Sequence, residues 1–333
     1  MEHISCANCS KPSTIKCSRC LNSPEYKPGD APVTAYCGSE CQRQHWPTHK
    51  AQCRRLEGRR KILRIGEIIK TACLVYRESV FDLPLTEVKL EEGVLHFLLE
   101  PRKILDHPWQ RPFPSNLRIS PQHKEAVLAN NHCATVTSLP PPLVHYLFGV
   151  IKAEYSIVQA AVKPILPWKL EWVHNSKGER RHMTSDNVLH IFVVVYLRGE
   201  GWVVDTMGCQ FGFPDVLVPL DNYFNTRIKV VPLEPVPPTE NKTCDQEVFG
   251  RKLLLSDAET QRLKAAHVVA GLKHFAEYIR VRFGLFRSTR PAEEFLSGAP
   301  EEFQVKLAQF ESDLKVHMIS FVDFALGKEK LDK

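Results

Sequence analysis

The chain has 333 residues, 43% of them apolar and 25% charged, with a net charge of +6. That length accommodates two or three domains, and that composition excludes a chain disordered throughout. No apolar run approaches the ~18 residues of a membrane-spanning helix, and the opening Met1-Glu2-His3-Ile4-Ser5-Cys6 lacks the basic-then-apolar pattern of a secretory signal. An intracellular protein, nuclear or cytoplasmic, is therefore expected, with its cysteines reduced.

Seven of the eleven cysteines fall within the first 53 residues, in the pattern Cys6-x2-Cys9-x7-Cys17-x2-Cys20-x16-Cys37-x3-Cys41-x7-His49-x3-Cys53. Paired thiols from tight turns suit zinc, which takes four thiolate or imidazole ligands in a tetrahedron. The later pairs, at i and i+4, suit one face of a helical turn. Eight ligands make two closed sites with no open coordination position, which is the structural and not the catalytic arrangement. A segment with so small an apolar core depends on the metal for its folding free energy.

This ligand spacing, with Tyr36 before Cys37 and the run Cys41-Gln42-x3-Trp46-x2-His49-Lys50-x2-Cys53, closely resembles the MYND family. The resemblance covers residues 6–53. It implies two interleaved zinc ions, one on Cys6, Cys9, Cys37 and Cys41, the other on Cys17, Cys20, His49 and Cys53. It also implies that Gln42 and Trp46 hold short proline-containing peptides, a role that an aromatic surface beside a polar amide suits. His45 lies near the ligands, but the spacing to Cys53 favours His49. The 16-residue gap from Cys20 to Cys37, with Pro24, Pro28 and Pro32, is longer than the family's usual spacing.

The first 70 residues hold 13 Lys/Arg and 6 Asp/Glu, so the positive charge is concentrated there. Within it, Arg54-Arg55-Leu-Glu-Gly-Arg59-Arg60-Lys61 has no interleaved aromatics to stack bases. It is read as the solvated face of a helix, and no nucleic-acid or membrane partner is expected. From Leu56 an amphipathic helix is predicted, with Ile62, Leu63, Ile65, Ile68, Ile69, Ala72 and Cys73 at helical spacing. A hairpin over Val88–Leu99 turns at Glu91–Gly93. Prolines 108, 112, 114 and 121 predict a loop over 107–122. Pro140-Pro141-Pro142 is expected to open a helix through about Val162; alternatively, with Leu143 and Val144, it fills the module's own peptide groove. Strands are predicted at Val188–Leu197 and Gly201–Asp205. A second proline-rich stretch, 232–238, precedes two long helices, about 256–283 and 300–326, hinged near Gly284 and Pro291. The predicted class is α+β: a two-zinc module at 1–56, an α+β body at 57–245 and a C-terminal helical region at 246–333.

His190 and Asp205, on adjacent strands, are a candidate base and orienting acid. Residues 188–213 resemble the His and Asp strands of transglutaminase-like and papain-like thiol enzymes, which implies a thiol acyltransferase or hydrolase if a nucleophile is present. Neither cysteine candidate has the small-residue motif of those enzymes. Cys133 falls in a predicted loop, and Cys73 sits in an apolar helical stripe where a structural thiol is commoner. A third reading, a lysine methyltransferase, rests on Asn131-His132-Cys133, but the family's intervening residue is absent, Ala134-Thr135 replaces the following pair, and no C-x-C zinc cluster follows. The expectation is a zinc-binding, peptide-docking adaptor whose α+β body is a relative of that fold that has lost, or never had, catalysis, with no residue assigned to it.

Overall fold

The computed structural model describes residues 4–99, 112–133, 141–173, 178–230, 258–284 and 290–325. The stretch 232–238, Cys244, and the boundary at 245 lie outside these. The chain opens with two miniature antiparallel ribbons, β1 (Ile4–Ser5) with β2 (Pro12–Ser13) and β3 (Ile15–Lys16) with β4 (Ala35–Tyr36). It then enters α1, a helix of 41 residues from Ser39 to Ser79. No break in α1 occurs at residue 56.

The predicted hairpin forms as β5 (Leu85–Glu91) and β6 (Val94–Leu99), turning at Glu92 and Gly93, which both have positive φ. After α2 (Pro121–Ala129) comes α3 (Pro141–Val150), then β7 (Glu154–Val162). The predicted helix through Val162 is therefore corrected: it stops at Val150, Lys152 takes a left-handed turn, and the rest pairs with the sheet. Leu143 and Val144 are buried in the main core as part of α3, so the alternative of an extended segment in the peptide groove is excluded.

β8 (Trp168–Val173) and β9 (Arg180–Thr184) join β5 and β6 in a four-stranded sheet of order β5-β6-β8-β9. The second predicted hairpin is β10 (Leu189–Leu197) and β11 (Glu200–Val204). β12 (Leu217–Pro219), α4 (Leu220–Arg227) and β13 (Ile228–Val230) complete an antiparallel sheet of order β12-β11-β10-β7-β13. The C-terminal region is α5 (Ala258–Phe283), a short α6 (Arg290–Leu296) that the sequence reading missed, and α7 (Pro300–Ala325).

β10 is buried on both faces, and its period of two divides the body. Ile191, Val193 and Val195 face α1, α3 and the C-terminal helices in the largest core. Phe192 and Val194 face the opposite way, toward Val203, Phe211, Phe213 and Tyr223. α1 lies close against this hairpin because Gly66 leaves room for Val216 and Val204. Among the described residues, no helix is long and apolar enough to cross a membrane.

Candidate functional site

The ligand residues converge as two clusters. Cys6 and Cys9, flanking the β1–β2 turn, meet Cys37 and Cys41; Cys17 and Cys20, following β3, meet His49 and Cys53 on α1. Only Cys41 of the Cys37–Cys41 pair is helical, since α1 begins at Ser39. In the first cluster Cys9, Cys37 and Cys41 hold their sulfurs 3.5–3.7 Å apart. In the second, Cys17 and Cys53 sulfurs are 3.8 Å apart, and Cys20 Sγ is 3.6 Å from His49 Nε2. A tetrahedron with zinc–sulfur bonds of about 2.3 Å has its sulfurs about 3.8 Å apart, so both donor sets fit zinc. The second cluster is wholly buried, whereas Cys9 and Cys37 of the first are exposed. His45 is engaged elsewhere, its Nδ1 3.1 Å from the Tyr36 hydroxyl. The crowded thiols oppose one another's ionisation: hydrogen bonding to Cys17 pushes the Cys20 thiol up, and the bond from Cys20 draws Cys17 down. A divalent cation removes that conflict by letting every sulfur ionise.

Residues 6–53 match the family model of the MYND finger. The N-terminal module is a MYND finger. No curated protein and no solved structure matches the chain. The finger binds two zinc ions through the two interleaved sets that the ligand pattern implies. Each set supplies four ligands, so zinc here braces the fold and offers no open position for a substrate.

In the finger, Gln42 and Trp46 are half-buried and one turn apart on α1, with Trp46 packed against the small cysteine-lined core. The Trp46 ring stands edge-on to His49 at 6.2 Å, with the Arg19 guanidinium 5.9 Å from its centre. The long Cys20–Cys37 loop turns inward. Its Tyr26 packs on Trp202 at 5.1 Å, and its Asp30 accepts two 2.7 Å hydrogen bonds from Arg59. Arg59 also donates to both oxygens of Glu200, at 2.8 and 2.6 Å. Arg60 reaches the Ser18 and Leu21 carbonyls. The reading of this basic run as a solvated face holds for Arg54 and Arg55, which are exposed, and is corrected for the other two: Arg59 is 1% exposed and Arg60 6%. These two residues fasten the finger to the body.

In the body, His190 and Asp205 are both buried, with His190 Nε2 2.8 Å from Asp205 Oδ1. Continuing the β10–β11 register past Val193 and Val204 sets Asp205 beside Phe192, on the face that His190 shares. The Tyr223 hydroxyl donates to Asp205 Oδ2 at 2.8 Å, and Gln210 Nε2 lies 3.4 Å from His190 Nδ1. Cys133, expected in a loop, is in a turn after α2, and its thiol is near enough to His190 to raise the imidazole. It also lies 3.6 Å from the Leu189 carbonyl. Burial opposes a charge on His190, but the Asp205 carboxylate and the Cys133 thiol outweigh it and push the imidazole up to about 10. Burial likewise opposes charge on Asp205, yet His190 holds its carboxyl below the usual range. Cys73 is fully buried on α1 and its thiol is pushed up by burial, as the structural reading of that residue expects. Gln210, in the run Gln210-Phe211-Gly212 that follows the two strands in sequence, joins His190 as that pattern suggests, whereas Tyr223 carried no sequence signal, because its role depends on the fold bringing 205 and 223 together.

Proposed function

We propose that the protein is an adaptor of a reducing, intracellular compartment whose MYND finger docks proline-containing segments of a partner protein. The observation that carries this reading is the half-buried Trp46 with Gln42 one turn before it, on a finger whose fold the two zincs brace. An extended proline segment loses little conformational freedom on docking and presents flat pyrrolidine faces to an aromatic ring, while its free carbonyls accept from an amide. Gln42 supplies that amide. Lys16, Arg19, Arg43, Lys50, Arg54 and Arg55 are exposed on the finger and its first helical turns, so acidic residues flanking the prolines suit this surface.

The test is fluorescence anisotropy on the full chain with labelled proline-containing peptides and their alanine-for-proline counterparts. Gln42→Ala and Trp46→Ala are each expected to weaken binding at least tenfold while native mass spectrometry still counts two zincs. Equal affinity for the proline peptides and their alanine counterparts overturns the reading.

A further inference from the structure

A groove of about 850 Å³ lies where the finger, the body and the C-terminal helices meet. One stripe of α1 lines it: Leu63, Glu67, Thr71, Leu74 and Glu78 recur every three or four residues and so share a helix face. At 1.5 Å per residue, Leu63 to Glu78 spans about 22 Å, or about four helical turns. α2 contributes Lys124, Glu125 and Leu128, and α7 contributes Leu307, Glu311 and Lys315 one turn apart. The finger adds Asn22, Ser23 and Pro24, and the segment before β12 adds Asp215 and Val216.

The lining combines an apolar strip with an excess of negative charge. Leu63, Leu74, Val216 and Leu307 are half-buried, packing on the main core while also lining the groove. Five carboxylates line it against three lysines, although the whole chain carries a net charge of +6. The lysines are already engaged: Lys70 pairs with Glu125 at 2.6 Å, Lys124 and Lys315 share Glu78, and Lys315 also reaches Glu311 at 2.8 Å. Asp215 accepts from Arg227 at 2.8 Å. Among the described residues, Glu67 is the one carboxylate of the five with no salt bridge. Burial pushes its carboxyl up, and the nearby Arg64, Lys70 and Gln304 do not cancel that effect. The Arg64 guanidinium is committed to the carbonyls of Leu296, Gly298 and Ala299.

We infer that this groove docks an amphipathic helix of a partner protein, whose apolar stripe covers the leucines and whose lysine or arginine pairs with Glu67. The backbone groups of α1, α2 and α7 are spent within those helices, so an extended segment would find few main-chain partners here. A helix satisfies its own backbone and is recognised by side chains at i, i+3, i+4 and i+7, the spacing that the α1 and α7 stripes offer. A small-molecule site is enclosed and mostly apolar, whereas this one is open and lined by charges along its length. A cation brought to Glu67 supplies the partner that a half-buried carboxylate lacks, and it meets the local excess of negative charge. Trp46 and Gln42 do not line the groove, so this second surface stands apart from proline docking.

The test is fluorescence anisotropy on the full chain with zinc bound. The probes are stapled helices of about four turns, with leucines every three or four residues and lysine, glutamine or glutamate on the flanks. The lysine form is expected to bind about tenfold tighter than the glutamate form, even though the net charge of +6 favours the latter at long range. Glu67→Lys is expected to reverse that order, with zinc content and circular dichroism unchanged. Because a lysine at a half-buried position can disturb the fold, Glu67→Gln, which keeps the shape, is the second variant. It is expected to weaken the lysine form about threefold or more and leave the glutamine form unchanged. Trp46→Ala is expected to leave all three affinities as they are. Equal affinity for the lysine and glutamate forms, or lysine-form binding unchanged in folded Glu67→Gln, overturns the assignment. A dimer of the chain in sedimentation that Glu67→Lys abolishes also overturns it, by giving the groove to a second copy.

Discussion

Arg59 offers the most direct test of how the finger is joined to the body. Its guanidinium is 1% exposed and bridges Asp30 of the zinc-module loop to Glu200 of β11, whose side chains are 25% and 11% exposed. Arg59→Met keeps most of the volume and removes the cation. Breaking a buried pair by deleting one partner costs about 3–5 kcal/mol, because a charge is left without its counterion. Water can reach part of Asp30, so the lower end applies, about 3 kcal/mol. Equilibrium urea unfolding of the full chain, followed by circular dichroism, reads this as a lower midpoint at constant slope. Adding Glu200→Gln removes one of the two carboxylates left behind, the one that Arg55 still approaches at 3.8 Å, and is expected to recover part of the loss. A cost under about 1 kcal/mol, the level of an exposed pair, refutes the reasoning. The Arg59 hydrogen bond holds the Asp30 carboxyl below its ordinary range, against the opposing effect of burial. A depressed carboxylate contributes its stability above the unfolded pKa of about 3.9 and loses it as pH falls through the folded value. The gap between wild type and Arg59→Met is therefore expected to narrow below about pH 4.

A β-carbon at Gly66 would lie 2.5 Å from Val216 Cγ1 and 3.1 Å from Val204 Cγ1. Gly66→Ala is thus expected to destabilise by about 1–3 kcal/mol through overpacking despite the gain in helix propensity, and a higher melting temperature refutes this. The two zincs should also differ, since one set is wholly buried and the other includes the exposed Cys9 and Cys37. Native mass spectrometry during chelation is expected to pass through a one-zinc species, which Cys9→Ser reproduces without chelator; loss of both ions together contradicts the inner–outer distinction.

The finger was legible in the sequence because zinc accepts few ligand types and fixes their separations, so Cys6 to Cys53 carry the geometry in their spacing. The hairpins at Glu92-Gly93 and Arg198-Gly199 were legible because short turns demand particular backbone angles from particular residues. The failures have a common origin in long-range contacts. Residues 154–162 continue an apolar stretch that suits a helix or a strand, and β10 decided between them by pairing along its whole length. The charge on Arg59 and Arg60 argued for solvent, and only Asp30, Glu200 and two carbonyls brought from elsewhere reversed it. Cys133 had no local motif, because the carbonyl that its thiol meets, that of Leu189, lies 56 positions along the chain on another element.

Four buried arginines on α1 explain why these distant contacts form together. Arg59 and Arg60 bind the finger, Arg64 donates to the carbonyls of Leu296, Gly298 and Ala299 at the end of α6, and Arg77 donates to the Leu128 carbonyl of α2 and to Asp82. Each guanidinium meets carbonyls or carboxylates of another segment, so every element it fastens also relieves the cost of burying the cation. The same helix carries Cys41, His49 and Cys53 at one end and the core residues Ile62 to Cys73 further along. Zinc therefore orders the first turns of a rod whose later turns form the centre of the body. Trp46 and Gln42 sit on that rod, so a peptide docked there meets the body at a fixed bearing, whereas a flexible linker would let the finger search the surrounding volume.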